Sequence, residues 1–521
     1  MVASPSETDP MTTTRRSTFN MFSSAAGYVV PMLVSIGTTP LLLKWLGPAA
    51  YGLNSLVGVV IGYLTFMDMG LDIPIIKLLA EDRARGDAEA ESHLLSTTLQ
   101  LYVLIGIAGM AVITLCAPMF VGSVFRVPAA LTPDAVIVFR LAGVGFLGSV
   151  ALSWGRAVAM GAQRFDLAYS VSITTNVGGT LIGLGAVYAG FGIVGYVLVR
   201  VVLSLLGGPA YWLLTRWLLP GVRFRWGLHR PTLQRVAGYV GYGLINRVTG
   251  SVFGRLDQTL IGVWVGVAAA GIYSVPFMIV SSCGYLVSYM LGFIFPMASE
   301  LQSLGQMERL RTVFTRASRF TAALGGMIFV PLFVLGDHFL VLWVPTIAAD
   351  ASAVLRLLAL ATYLSTLCAA LTNCVVIGTG RIRQFTVYSS IRGVVLGALC
   401  VLLIRPLGLI GAGWALLSVE AVDVVYLAVA AQRYIAIPPV RLVRDAYIAP
   451  VGVSCLLGLV LSLARPYAHS WPGLVGAIVV FEVVFVMGGC RSGVFGQTER
   501  RVVADLWWTA LRSLGLSVHH A

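Results

Sequence analysis

The chain has 521 residues, of which 58% are hydrophobic and 11% charged, and it carries a formal net charge of +13. Soluble domains run nearer about half apolar and about a quarter charged, so this composition excludes a soluble globular protein and puts most of the chain in lipid. The basic excess then calls for no nucleic acid, because arginines gather in cytoplasmic loops and orient membrane helices.

Residues 1–17 read as a polar cytoplasmic tail ending at Arg15 and Arg16. The apolar run that follows is too long for a signal-peptide core and reads as a first spanning helix that stays in the protein. A bilayer core of about 30 Å takes roughly 20 apolar residues per helix. On that measure spans begin near Thr18, Tyr51, Leu94, Ala135, Leu167 and Phe191, and together they make an N-lobe over 18–217. Pro31 interrupts the first of them. A proline removes a helix hydrogen bond and clashes with the preceding turn, so Pro31 is a candidate hinge.

A basic cytoplasmic linker over 218–235 comes next, with Arg223, Arg225, Arg230 and Arg235. Spans near Val236, Gly271, Arg319, Ser352, Gln384 and Gly408 make a C-lobe over 236–430, and two more near Tyr447 and Leu474 fill 431–489. The cytoplasmic tail 490–521 contains ERRVVADLWWTALRSLG, basic and amphipathic, suited to the inner leaflet. The expected fold is therefore all-α and polytopic, with about 14 transmembrane helices. With both termini cytoplasmic, the outer segments hold only Lys44, Arg126, Arg405 and Arg465, and the other loop arginines fall inside. The seven cysteines lie in or beside apolar runs without C-x-x-C spacing or pairing with histidines. They read as packing residues, with no disulfide framework, metal site or cofactor expected.

One twelve-residue frame occurs twice. WLGPAAYGLNSL begins at Trp45 and WVGVAAAGIYSV at Trp264, with identities at Trp45/Trp264, Gly47/Gly266, Ala49/Ala268, Ala50/Ala269, Gly52/Gly271 and Ser55/Ser274. Further matches keep nearly the same offset. Gly62-Tyr63-Leu64 recurs as Gly284-Tyr285-Leu286, Gly161-x-x-Arg164 as Gly378-x-x-Arg381, and Gly192-x-x-Gly195 as Gly408-x-x-Gly411. Six helices per repeat is an even number, so both copies cross the membrane in the same direction. Parallel repeats of this kind characterise transporters, with a substrate path between the lobes.

FMDMGLDIPIIKLLAED, GAQRFDLAYS, RLDQTLIGVWVGVAAAGIYSV, GTGRIRQFTVYSS and PLGLIGAGWALLSVEAV resemble, in order and spacing, segments of the polysaccharide-exporting (Wzx-like) flippases of the MATE-like MOP superfamily. The likeness runs from about Arg15 to about Ala430. It implies two six-helix lobes in a V shape around a hydrophilic cavity, and alternating-access flipping of a polyprenyl-pyrophosphate-linked oligosaccharide repeat unit across the bacterial inner membrane. It also implies the lipid-linked glycan as substrate, with membrane lipids, a polysaccharide polymerase and export machinery as partners. The two extra helices favour the polysaccharide and lipid II branches over drug exporters.

Charges inside spans are functional candidates, because an ionisable group in mid-membrane costs several kcal/mol unless it faces a cavity or a partner. Arginine suits a pyrophosphate, since it forks two N–H bonds onto phosphate oxygens and keeps its charge. Arg247, Arg255 and Asp257 in INRVTGSVFGRLDQTLIG, with Arg140 and Arg200, are the expected cavity residues. Arg247 and Arg255, eight apart, are expected to share a helix face. Arg156, Arg356 and Arg392 sit near span ends and read as snorkelling to the interface. Asp68 with Asp72 one turn further on, and Glu420 with Asp423, are candidates for binding a coupling proton or Na⁺.

Two other functions compete. A multidrug or cation antiporter of the same superfamily would favour acids in its cavity. A membrane polymerase or ligase would need a sizeable outer loop, whereas the longest here is GDHFLVLWVPTIAADA. No Walker A, H-E-x-x-H or G-x-S-x-G context supports ATP-driven or hydrolytic chemistry, so the chain is read as a non-enzyme.

Overall fold

The computed structural model describes residues 10–238, 241–292 and 294–491. The ends of both tails, including the amphipathic C-terminal stretch, lie outside the described residues. Every regular element among those residues is a helix. The first, α1 (Pro10–Leu64), takes in two expected spans. Its backbone stays helical through Pro31 and Pro40 and breaks at Gly47, with φ 75° and ψ 167°. That conformation is open essentially to glycine. Pro48 follows at the start of the next segment, where its fixed φ and missing N–H are tolerated.

A tight turn at Thr65–Asp68 leads to α2 (Asp72–Arg85) and α3 (Ala88–Met119). Asp87 caps α3 by accepting the Ala90 N–H at 2.9 Å. Next, α4 (Thr132–Gly161) packs against α3 and α6 (Gly192–Leu218), while α5 (Phe165–Ala186) packs against α1 and α6.

The basic linker is not free. It lies along a polar stripe of α3, with Arg223 N–H donating to Ser92 Oγ and Arg225 N–H to Ser96 Oγ, both at 3.0 Å. Gln100 bonds both the Arg225 carbonyl and the Gly227 N–H. From α7 (Arg230–Ala237), Arg235 reaches buried Asp82 at 2.8 Å and Glu81 at 3.4 Å. The hydrogen bond to Asp82 holds the Arg235 guanidinium above its ordinary pKa.

The expected seventh span is divided into α8 (Gly241–Phe253) and α9 (Leu256–Trp264), interrupted at Gly254 and Arg255. The chain continues through α10 (Val267–Leu291), α11 (Ile294–Ser303), α12 (Met307–Trp343) and α13 (Ala348–Ser365). After α14 (Leu371–Gly378), α15 (Ile382–Leu407) and α16 (Leu409–Val429), the short α17 (Pro439–Leu442) precedes α18 (Ile448–Leu463) and α19 (Trp471–Arg491).

Among the described residues, eleven segments are long and apolar enough to cross a membrane, where the sequence reading expects fourteen. Two of them, Ala26–Asp68 and Phe165–Leu218, run 43 and 54 residues and carry glycine breaks, at Gly47 and at Gly190 with Gly192. The pieces on either side of Gly254 are too short to qualify.

The chain forms two compact units. Among the described residues, the first comprises those up to Val275 with Ser389–Ala412, and the second comprises Pro276–Tyr388 with those from Gly413 onward. In the second, α18 and α19 are held on α12 by a core of Ala323, Leu335, Leu461, Leu474, Phe481 and Phe485.

The repeats share local geometry. Gly47 and Gly266 both have positive φ (75° and 123°), as do Gly192 and Gly408 (59° and 58°). The turns after Gly161 and Gly378 close with the same bonds: Arg164 N–H to Ala159 O at 2.9 Å, and Arg381 N–H to Val376 O at 3.0 Å. Within the first unit the two copies of the opening frame touch. A Cβ on Gly52 would strike the Val267 carbonyl oxygen, and one on Gly271 the Pro48 carbonyl oxygen. In lipid, helices associate through close backbone approach rather than hydrophobic burial, so small residues mark the contact.

Candidate functional site

The first unit contains a cavity of about 350 Å³ between α1, α4, α5 and α6. Its polar lining comes from helical spacing. Ser149, Ser153 and Arg156 follow one another down α4, Ser172, Thr175 and Asn176 line it from α5, and Arg200, Ser204 and Tyr211 line it from α6. Asn54 and Gly58 of α1 close the opposite side. Each helix gives one polar stripe at i, i+3, i+4 spacing, otherwise rare in spans this apolar.

Several of these hydroxyls spend their proton on their own helix: Ser149 on Phe146 O at 2.8 Å, Thr175 on Val171 O at 2.9 Å and Ser204 on Val201 O at 2.8 Å. They are thereby left as acceptors toward the cavity. The charged donors are Arg156 and Arg200. The Arg200 guanidinium lies 5.6 Å from the Tyr196 ring. Neither arginine forms an ion pair among the described residues, and no carboxylate is in the lining. Such a site offers fixed positive charge to an anion and lone pairs to hydroxyl groups.

Of the arginines singled out from sequence, Arg200 is in this lining and Arg140 is exposed on α4 outside it. Arg156, read from sequence as an interfacial snorkeller, lines the cavity. The signal for it was present in its spacing from Ser149 and Ser153.

Arg247 lies elsewhere in the first unit. It bridges Asp72 at 2.6 Å and Asp68 at 3.3 Å. The two aspartates do not sit on one continuous helix as expected. Met69 in the left-handed region and Gly70 at φ 73° separate them, so a turn presents both to one guanidinium. Asp68 also accepts the Gly70 N–H at 3.1 Å.

Arg247 and Arg255 do not share a helix face either, because the helix ends between them. Arg255 caps α9 with φ −134°, is exposed, and lies across Gly62, with Nη1 3.5 Å from the Gly58 carbonyl. Asp257 is 2% exposed and fully occupied: the Tyr273 hydroxyl donates to one oxygen and the Gln258 N–H to the other, at 2.8 Å. It holds α9 to α10 rather than facing a cavity.

In the second unit Glu420 and Asp423 are buried on α16. Asp423 accepts hydrogen bonds from Ser365 at 3.1 Å and Tyr388 at 2.8 Å, and Tyr388 stacks on Tyr426. Arg356 is paired with Asp337 at 2.6 Å, and Arg465 bonds the same carboxylate. The seven cysteines are free thiols.

A family model described as a polysaccharide biosynthesis protein matches residues 41–344, more than half of the chain. The chain belongs to the polysaccharide biosynthesis protein family. Among known proteins this family member resembles a putative O-antigen transporter of Shigella flexneri, 20% identical over 57% of this chain and 69% of that one. Its fold is similar to that of solved transporters of the MOP superfamily. A lipid II flippase, MurJ, in an inward closed conformation aligns over 92% of this chain and 100% of its own, with TM-score 0.73 and 11% identity. An inward-facing multidrug resistance MATE transporter of that superfamily aligns over 81% of this chain and 96% of its own, with TM-score 0.69 and 14% identity. This member of the polysaccharide biosynthesis family is a multi-pass membrane protein with a basic, carboxylate-free cavity among its first six helices.

Proposed function

We propose that this protein moves a lipid-linked oligosaccharide with a pyrophosphate head across the bacterial cytoplasmic membrane by alternating access, with both termini in the cytoplasm and no catalytic step. The observation that carries the reading is the cavity lining: Arg156 and Arg200 without a carboxylate, surrounded by Ser, Thr and Asn acceptors. A pyrophosphate head is excluded by lipid and needs fixed cations along its path. The sugars behind it need hydrogen-bond acceptors, which the back-bonded hydroxyls supply. Support also comes from family membership and from the likeness to the O-antigen transporter. A cation antiporter is less well served, since its substrate would meet like charge.

A proton or Na⁺ gradient would act through Glu420 and Asp423, buried about one turn apart on α16. The deciding experiment is a deletion strain complemented with wild type or with Arg156→Ala/Arg200→Ala. With the double variant, lipid-linked repeat units should stay accessible only from the cytoplasmic face at normal protein level. Normal surface polysaccharide in that strain would sink the proposal.

A further inference from the structure

At one end of the second unit a groove of about 410 Å³ runs between the start of α12 and residues 436–445, beside the first turns of two spans, Met307–Trp343 and Pro439–Leu463. Four guanidinium groups border it, those of Arg311, Arg316, Arg319 and Arg441, against two carboxylates, Glu308 and Asp445. Two of the arginines are fixed by backbone carbonyls: Arg311 Nε donates to Ile435 O at 2.8 Å and Arg319 Nε to Asp445 O at 2.9 Å. Arg311 also pairs with Glu308, and Arg441 with Asp445 at 3.5 Å. Arg316 is exposed and forms no ion pair among the described residues.

The floor of the groove is apolar, with Ile437, Pro438 and Leu442. On the segment that carries Arg441 and Asp445, outside the lining, Val440 is 82% exposed and Val443 and Ile448 are also exposed. A free anion has no use for exposed apolar side chains on the segment that carries Arg441, whereas a lipid uses both. We infer that this groove is a docking site for an anionic phospholipid, with the phosphate between the arginines and an acyl chain against Val440, Val443 and Ile448. Basic pockets at the ends of membrane helices hold such headgroups by the field of the anionic leaflet and by forked N–H bonds to phosphate. The site is separate from the substrate cavity of the first unit and does not depend on its assignment.

The test is native mass spectrometry of the full-length protein released from nanodiscs of phosphatidylglycerol and phosphatidylethanolamine. Wild type should retain phosphatidylglycerol preferentially. Arg316→Ala/Arg441→Ala should lower that retention at least about fivefold for each arginine removed, with phosphatidylethanolamine unchanged. Val440→Asp, which leaves the arginines in place, should lower it as well and carries the test if the double variant does not elute as a single species. Unchanged phosphatidylglycerol in both variants would overturn the inference. So would an equal loss in Arg230→Ala, outside the groove, or complete displacement of the lipid from wild type by inorganic phosphate.

Discussion

Gly52 and Gly271 hold the same position in the two copies of the repeated frame and meet backbone to backbone. A Cβ on Gly271 would lie 2.8 Å from the Gly52 nitrogen and 2.9 Å from its Cα. Neither helix can carry a side chain there without the other moving. Gly52→Ala and Gly271→Ala should each destabilise the purified protein by about 1–3 kcal/mol. Gly37→Ala, where a Cβ meets nothing within 4 Å, should be neutral. Thermal unfolding in detergent reads the difference, and equal midpoints for all three would refute the close crossing.

The arginines that line the cavity are separable from Arg140, which lies outside it. Arg200→Ala should reduce surface polysaccharide about tenfold or more, the scale of a lost charge-assisted hydrogen bond. Arg200→Lys should retain part of the activity, and Arg140→Ala all of it. Comparable defects at 140 and 200, at equal protein level, would remove the cavity from the transport path.

Arg247 with Asp68 and Asp72 is a part-exposed ion cluster that ties α8 to the turn before α2. A double-mutant cycle of Arg247→Ala and Asp72→Ala should give a coupling of up to about 1 kcal/mol. Strict additivity in thermal unfolding would mean that the pair contributes nothing in solution.

Asp257 predicts a defect of another kind. Asp257→Ala removes the carboxylate that accepts from the buried Tyr273 hydroxyl and should cost about 1–3 kcal/mol of stability, while Asp257→Asn keeps one acceptor and costs less. Protein amount should fall with transport per molecule preserved. A fully abundant but inactive Asp257→Ala protein would restore this residue to the transport path.

The helical architecture and the turns were legible because both rest on local chemistry. Apolar length reveals spans, and glycines at matched offsets mark the positive-φ turns at 47, 266, 192 and 408. The cavity was half legible. Arg200 stood out as a charge within a span, but Arg156 was discounted by its distance from a span end, although Ser149 and Ser153 put it on a polar stripe. Arg247 and Arg255 misled because an eight-residue spacing implies a common face only if the helix is unbroken, and Gly254 breaks it. The partners of Arg247 and Asp257 are fixed by tertiary packing, so no spacing rule within one helix could have named them. Ser92, Ser96 and Gln100 form a further polar stripe whose purpose, holding the linker, needed the fold to become visible.

That fastened linker makes the chain tolerant of a cut. Trp226 is 95% exposed, and anchors lie on both sides of the Trp226–Gly227 bond: Ser92 and Ser96 hold the residues before it, and Gln100 and Asp82 hold those after it. Hydrolysis of this one peptide bond would leave two polypeptides that co-purify and still work as one transporter, so split expression of the two pieces becomes a practical way to label either separately.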